Sequence, residues 1–317
     1  MAEKQCAFKT SVGGQALLEG IMMRGPKKVA AAVRRPDGGI ELKIDDVKTH
    51  GWTKIPVVRG VCNMVVSLVD GYRYLTYSAE ISMTEEENAE QESKFDRWLS
   101  EKLGDKAMGV VTTIAALAGA GLAVLLFSVL PTTLIGLLAG LVEKLGGGMS
   151  DFVKTLLEGV VKIGIFLSYL ALVSRMKEIH RVFCYHGAEH KTIACYEAGE
   201  ELTVENVKKH RRFHPRCGTS FLLIVLVISI LVCSVLPWGS VLGRIGLKLL
   251  VLPVIVGVAY EIIKFAGRHD NAFTRAISAP GLWLQRLTTQ EPDDSMIEVA
   301  IEAVRPVLPE DPEEGKW

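Results

Sequence analysis

Five of the seven histidines, His180, His186, His190, His210 and His214, fall between residues 175 and 218. Two of them stand in the run Tyr185-His186-Gly187-Ala188-Glu189-His190-Lys191-Thr192. On a helix His186 and His190 lie one turn apart with their rings on the same face, the spacing that two imidazole ligands of one zinc ion need. Glu189 sits beside them. The order His-x-x-Glu-His is that of inverzincin metallopeptidases, in which the histidines bind zinc and the glutamate takes a proton from the water the metal activates.

Another pair of ligand types, His214 and Cys217, stands in Phe213-His214-Pro215-Arg216-Cys217-Gly218-Thr219. Pro215 and Gly218 keep this stretch out of a helix, which lets both side chains turn back toward His186 and His190. Four N and S ligands suit zinc or another divalent transition metal. With all four bound the site is closed and structural. With three, the fourth position is open to water and Glu189 becomes a general base. The plain alternative is a solvated helix face, because an isolated HxxEH match is a weak signal.

A further motif is GGQALLEGIMMRGP, residues 13–26, in which Gln15, Glu19 and Arg24 interrupt an apolar stretch. It reads either as a functional loop or as a turn and short helix packing Leu17, Leu18, Ile21 and Met22. It lacks the Gly-Lys-Ser/Thr ending of a phosphate-binding loop.

The elements that must position these residues are mostly membrane helices. Apolar residues make up 49% of the 317-residue chain, and they are gathered in blocks. No residue from Val110 to Val142 is charged, and Thr219 to Gly243 is another uncharged run. Spans are expected near residues 110–130, 153–174, 219–240 and 247–265, each of about the 20 residues a bilayer requires. Pro131 divides the first run, so residues 131–142 read as a kinked extension, an interfacial helix or a re-entrant turn. Lys154, Glu158 and Lys162 recur every four residues and put a charged face on the second span, which therefore faces protein or water, unless the charges form an i,i+4 ladder outside the bilayer.

The total charge, 36 Lys plus Arg against 36 Asp plus Glu, names no partner, and a bulk nucleic-acid binder is disfavoured. Divided by segment it orients the chain. Residues 175–218 hold 9 basic and 6 acidic groups, so by the positive-inside rule this loop is cytosolic. Four spans then place both terminal regions in the cytosol of a cell-membrane protein. The basic run Lys208 to Arg216 either contacts lipid headgroups, a substrate phosphate or nucleic acid, or only sets the orientation.

Residues 1–108 read as a small α+β cytosolic domain. Lys28 to Arg35 and Gly39 to Val47 alternate around Pro36-Asp37-Gly38-Gly39, a hairpin signal. Pro56 to Ser82 reads as an amphipathic helix suited to a membrane surface, followed by an acidic linker, Glu85 to Glu92. Residues 109–265 form the membrane domain, and residues 266–317 a cytosolic C-terminal segment with a break at Pro280-Gly281, a helix over Asp294 to Val304 and a mobile tail. The six cysteines contain no CxxC pair, and no disulfides are expected in this compartment.

With GGQALLEGIMMRGP, YHGAEHKTIACYEAG, HPRCGTSFL and PGLWLQRLTTQEPDDSMIEVAI in order from residue 13 to residue 301, the sequence resembles the YqhQ-like family of bacterial membrane proteins. That family is catalogued as a domain of unknown function and described as predicted metal-dependent enzymes. The resemblance implies a metal site at His186, Glu189, His190, His214 and Cys217, and gives Gln15, Glu19 and Arg24 no assigned role.

The expected fold is therefore mainly α, an integral membrane helical bundle of about four spans with a small N-terminal α+β domain. The expected function is a membrane-embedded, metal-binding hydrolase in which Glu189 is catalytic and the substrate is membrane-associated. A non-enzymatic scaffold that recruits a protein partner is the alternative, and a transporter built on Lys154, Glu158 and Lys162 comes third. Oligomeric state is not legible.

Overall fold

The computed structural model describes residues 8–47, 55–83, 107–269, 271–309 and 314–315, with side chains in the helix that starts at residue 107 described from residue 114. The acidic run Glu85 to Glu92 and most of the tail lie outside these residues. The chain forms two compact units, one from residues 1–82, 170–226 and 254–317, the other from residues 83–169 and 227–253. The strands of the N-terminal segment share a hydrophobic core with helices distant in sequence.

In the first unit four antiparallel strands, β1 (Gly13–Leu17), β2 (Gly20–Arg24), β3 (Lys28–Arg34) and β4 (Ile40–Asp46), lie in sequence order. The β3–β4 turn uses Gly38 at φ 87°, and the Gly39 amide donates to Asp37 Oδ1 at 2.8 Å. The motif at residues 13–26 is likewise a hairpin, not the turn and short helix that its apolar residues suggested. Leu17 pairs with Gly20 across a two-residue turn in which Glu19 takes φ 48°.

The sheet is covered on both faces. Ile21, Met23, Ala30 and Ala32 pack with helices α5 (Lys177–Glu197) and α10 (Asp294–Val304). Leu17, Met22, Val29, Ala31 and Val33 pack around Tyr74 of α1 (Val58–Ser82). Period-two alternation sends successive side chains to opposite faces, so a strand buried on both reads as a continuous apolar run. The opposite side of α1 leaves Val65, Leu68, Val69, Tyr72 and Leu75 exposed.

Among the described residues three helices are long and apolar enough to cross a membrane: residues Ile114–Lys144, Asp151–Val173 and Val241–Arg268. The first belongs to a continuous helical run of α2 (Ala107–Val124), a π-helical turn at Leu125–Val129 and α3 (Leu130–Lys144). Pro131 lacks an N–H to donate, and the wider turn just before it absorbs the missing bond without ending the helix. The others are α4 (Asp151–Val173) and α8 (Val241–Arg268). A fourth apolar helix, α7 (Gly218–Ser234), is shorter at 17 residues. It stops ahead of Pro237.

The short helix α6 (Val204–Lys208) follows α5, and α9 (Ala272–Thr288) runs straight through Pro280, where a break was expected. An Asn271–Thr274 capping box starts α9. Packing carries it past the proline: Gly281 lies so close to Ser220 that a Cβ would fall 2.4 Å from its Oγ, and Leu284, Gln285 and Thr288 are buried on the same stripe. Tertiary contacts here outweigh the lost hydrogen bond. The five described cysteines are all free.

Candidate metal centre

Helix α5 carries His186, Glu189 and His190 on one face, as the i, i+3, i+4 spacing requires. Gly187 allows the chain after α9 to close on that helix, since a Cβ there would meet the Gln290 carbonyl oxygen at 2.0 Å. The Gln290 amide donates to the Phe183 carbonyl at 2.8 Å. This approach brings the Thr288 carbonyl to 2.8 Å from His186 Nδ1, and on the other side the Arg212 carbonyl lies 2.6 Å from His190 Nδ1. A carbonyl only accepts, so each Nδ1 must carry a proton, and in the neutral form of each ring Nε2 is the nitrogen with the lone pair.

Both rings face Cys217. The ligand atoms of His186, His190 and Cys217 all lie within 4.8 Å of one another, and His186 Nε2 is 3.2 Å from Cys217 Sγ. Cys217 immediately precedes α7, and its sulfur also lies 3.2 Å from Thr219 Oγ1 and 3.5 Å from the Thr219 amide. Burial alone would push this thiol up, but the facing His186 and His190 imidazoles outweigh it and hold the thiol well below its ordinary value. The partner shift agrees in sign: burial lowers His186, and the Cys217 sulfur more than restores it, so the imidazole is raised.

Glu189 is 4% exposed, and its Oε2 has no hydrogen-bond partner among the described residues. The Gly14 amide of β1 bonds to the carboxylate, and a Cβ on Gly14 would come 3.1 Å from Glu189 Cδ. Burial raises the Glu189 carboxyl above its ordinary value, against the lowering effect of His186 and His190. A buried carboxylate oxygen without a donor is costly to the fold, by about 1 to 3 kcal/mol for such a group. It is the kind of group kept for chemistry.

His214 is placed apart from the three converging atoms. Its ring centroid is 5.6 Å from that of His190, but its Nε2 lies 3.5 Å from Glu197 Oε2 and 3.2 Å from the Arg216 guanidinium. Glu197 and Arg216 form a buried ion pair. Among the other histidines, His180 lies beside Cys184 and His210 beside Glu200. Cys195, Glu200 and His210 form a second group of ligand types, but the thiol already reaches the Glu201 carbonyl at 3.6 Å and His210 already pairs with the carboxylate. Lys208 and Arg212 of the basic run pair with Asp294 and Glu291.

The polar residues of the N-terminal motif tie the sheet to its helices. Gln15 packs on Gly71 of α1, Arg24 pairs with Asp70 at 2.7 Å, and Glu19 takes both a two-pronged contact from Arg181 and the Tyr185 hydroxyl at 3.2 Å. The sequence gives no role to Gln285, yet its side chain clamps the loop that carries Cys217. It accepts from the His214 amide at 2.8 Å and donates to the His214 carbonyl at 2.7 Å. The readable signal was a polar residue on the stripe Gly281, Leu284, Gln285, Thr288, where a core-facing position otherwise calls for an apolar side chain.

The chain matches, over residues 55–310, a family described as a protein of unknown function, DUF1385. It is 33% identical over 308 residues to the uncharacterized protein YqhQ of Bacillus subtilis (strain 168), covering 93% of this chain and 92% of that protein. No solved structure matches it.

Proposed function

The chain belongs to the DUF1385 family, and from that premise we propose that it is a membrane-embedded, metal-dependent hydrolase acting at the cytosolic membrane face. In this reading His186, His190 and Cys217 hold zinc or another divalent transition metal, and Glu189 is the general base. The apolar helices cross the cell membrane as four spans, α7 included, with residues 175–218 and both terminal regions in the cytosol. The substrate is membrane-associated.

One observation carries the reading: three ligand atoms of zinc-like type converge, with both imidazoles already oriented from behind, beside a buried carboxylate that has an oxygen to spare. Metal-ligating histidines characteristically donate their other ring N–H to a carbonyl or carboxylate, which fixes tautomer and orientation. Three protein ligands leave a fourth position open, the pattern of catalytic rather than structural zinc. A divalent metal bound there would supply Lewis acidity, making water a nucleophile near neutral pH and stabilising the charge that develops on the substrate oxygen. Glu189 Oε2 receives the proton that the attacking water releases, and returns it to the leaving group. The raised carboxyl of Glu189 moves toward the neutral range in which a general base works best. Gly14 and Gln285 position these groups from behind.

Cobalt substitution tests the ligand set. Cobalt(II) added to chelator-treated protein is expected to give a thiolate charge-transfer band in the near ultraviolet. The band should vanish in Cys217→Ser and persist in His214→Ala. Absence of the band from wild type, or its loss in His214→Ala, contradicts the three-ligand assignment. In Gln285→Ala the clamp on the Cys217 loop is gone, and metal affinity is expected to fall about 10- to 100-fold, the range for supporting partners. Competition with a chromophoric chelator measures it, and an unchanged affinity would remove Gln285 from the account.

A further inference from the structure

The unit built from residues 83–169 and 227–253 contains a second group of charges, enclosed among its apolar helices. Glu158, Lys162, Arg244 and Lys248 are each 9% exposed or less, and Thr132 and Thr155 are buried with them. Lys248 pairs with Glu158 Oε1 and donates to Thr132 Oγ1 at 2.6 Å. Arg244 donates to the carbonyls of Cys233, Leu236 and Pro237 and to Thr155 Oγ1. The first of these carbonyls belongs to the last turn of α7, whose free carbonyls carry about half a negative charge.

Three cations therefore share one carboxylate. Lys248 is matched by Glu158, and Arg244 in large part by carbonyls. Lys162, one helical turn beyond Glu158 on α4 and 9% exposed, is matched by nothing: among the described residues no hydrogen bond or ion pair reaches it. The other acids of this unit's described residues, Glu143 and Asp151, are exposed, and Asp151 bonds Lys154. Among the described residues the buried Nε of Arg244 and the buried Oε2 of Glu158 each lack a hydrogen bond, and they face one another as an ion pair at 3.6 Å. An ammonium held in apolar surroundings with no acceptor is expensive, and charges at membrane depth characteristically mark ligand sites.

We propose that this cluster binds a phosphate-bearing anion, either free phosphate or the headgroup of an anionic lipid. Its excess of two positive charges matches free hydrogen phosphate and more than offsets the single charge of a phosphodiester headgroup. Lys162 and Arg244 supply the N–H donors, and the hydroxyls of Thr132 and Thr155 lie among them. Phosphate also suits a mixed Lys and Arg lining better than a halide does, because it offers several acceptor oxygens at once.

The full-length protein is tested in two arms, with Lys162→Met to remove the charge at similar volume, Lys162→Arg to retain it, and Lys154→Met as control. In the lipid arm, native mass spectrometry follows exposure to vesicles of phosphatidylcholine with phosphatidylglycerol. One retained phosphatidylglycerol per chain, lost in Lys162→Met and kept in the other two, identifies a headgroup. In the second arm, with phosphatidylcholine alone, inorganic phosphate is compared with chloride at equal ionic strength. A melting temperature raised by a few degrees by phosphate only, and not in Lys162→Met, identifies the free anion. Neither response in wild type, or responses identical in wild type and Lys162→Met, overturns the proposal. Should Lys162→Met fail to fold, the wild-type responses alone decide.

Discussion

Glu189→Gln is expected to lower hydrolytic turnover about 10²- to 10⁴-fold, the usual contribution of a positioned acid or base, while metal content and melting temperature stay near wild type. The amide fills the space of the carboxylate but cannot accept a proton at neutral pH. It can still accept the Gly14 amide through its carbonyl oxygen, so β1 stays in place against α5. Glu189 is not among the three converging ligand atoms, which is why metal should be retained. A small activated ester such as 4-nitrophenyl acetate serves as the first probe, because attack on it needs an activated water and little substrate recognition. Undiminished turnover would exclude Glu189 as the base. Loss of metal together with turnover would make it a ligand.

Glu197→Ala is expected to destabilise the protein by about 3 to 5 kcal/mol, the range for breaking a buried ion pair from one side. Glu197 is 2% exposed and accepts the Thr10 amide at 2.7 Å, besides meeting Arg216 and His214. Truncation removes the carboxylate that faces the buried Arg216 charge and frees the chain that leads into β1. Acid titration carries a signature of the same contacts. Burial alone would push the Glu197 carboxyl up, but the His214 hydrogen bond and the Arg216 guanidinium outweigh it and hold it below the ordinary range. A depressed carboxyl stabilises the fold above its unfolded value, about 4.3, and that contribution is lost as pH falls through the lower folded value. The stability gap between wild type and Glu197→Gln should therefore be full at neutral pH and narrow below about pH 4. Denaturant titrations over that range measure it, and a gap that widens on acidification would contradict the assignment.

Both variants bear on residues of unequal legibility. His186, Glu189 and His190 could be placed together from spacing alone, because a helix fixes which residues share a face. The approach of Cys217 depends on how the chain packs between α5 and α7, and HPRC spacing does not say which of its two ligand types turns inward. The structure sends Cys217 to the two imidazoles and His214 to Glu197. The carbonyls of Thr288 and Arg212, which orient those imidazoles, carry no sequence signal because every residue has one.

The same contrast holds for the scaffold. The β3–β4 hairpin was readable from alternation and from Pro36-Asp37-Gly38-Gly39. The β1–β2 hairpin was not, since Leu18-Glu19 is no usual turn pair and Ile21-Met22-Met23 is apolar on both faces of a doubly covered sheet. Pro280 suggested a break that packing against Ser220 overrides. The apolar helices were plain from hydropathy, but the stripe at Glu158 and Lys162 acquires meaning only when α8 brings Arg244 and Lys248 beside it.

The metal content of the purified full-length protein tests the central claim most directly. After expression in zinc-supplemented medium and removal of loosely bound ions by gel filtration, elemental analysis should give one zinc or similar transition-metal ion per chain, and none in His190→Ala that remains folded by circular dichroism. A wild-type protein without stoichiometric metal, or a His190→Ala protein with as much as wild type, would contradict the account.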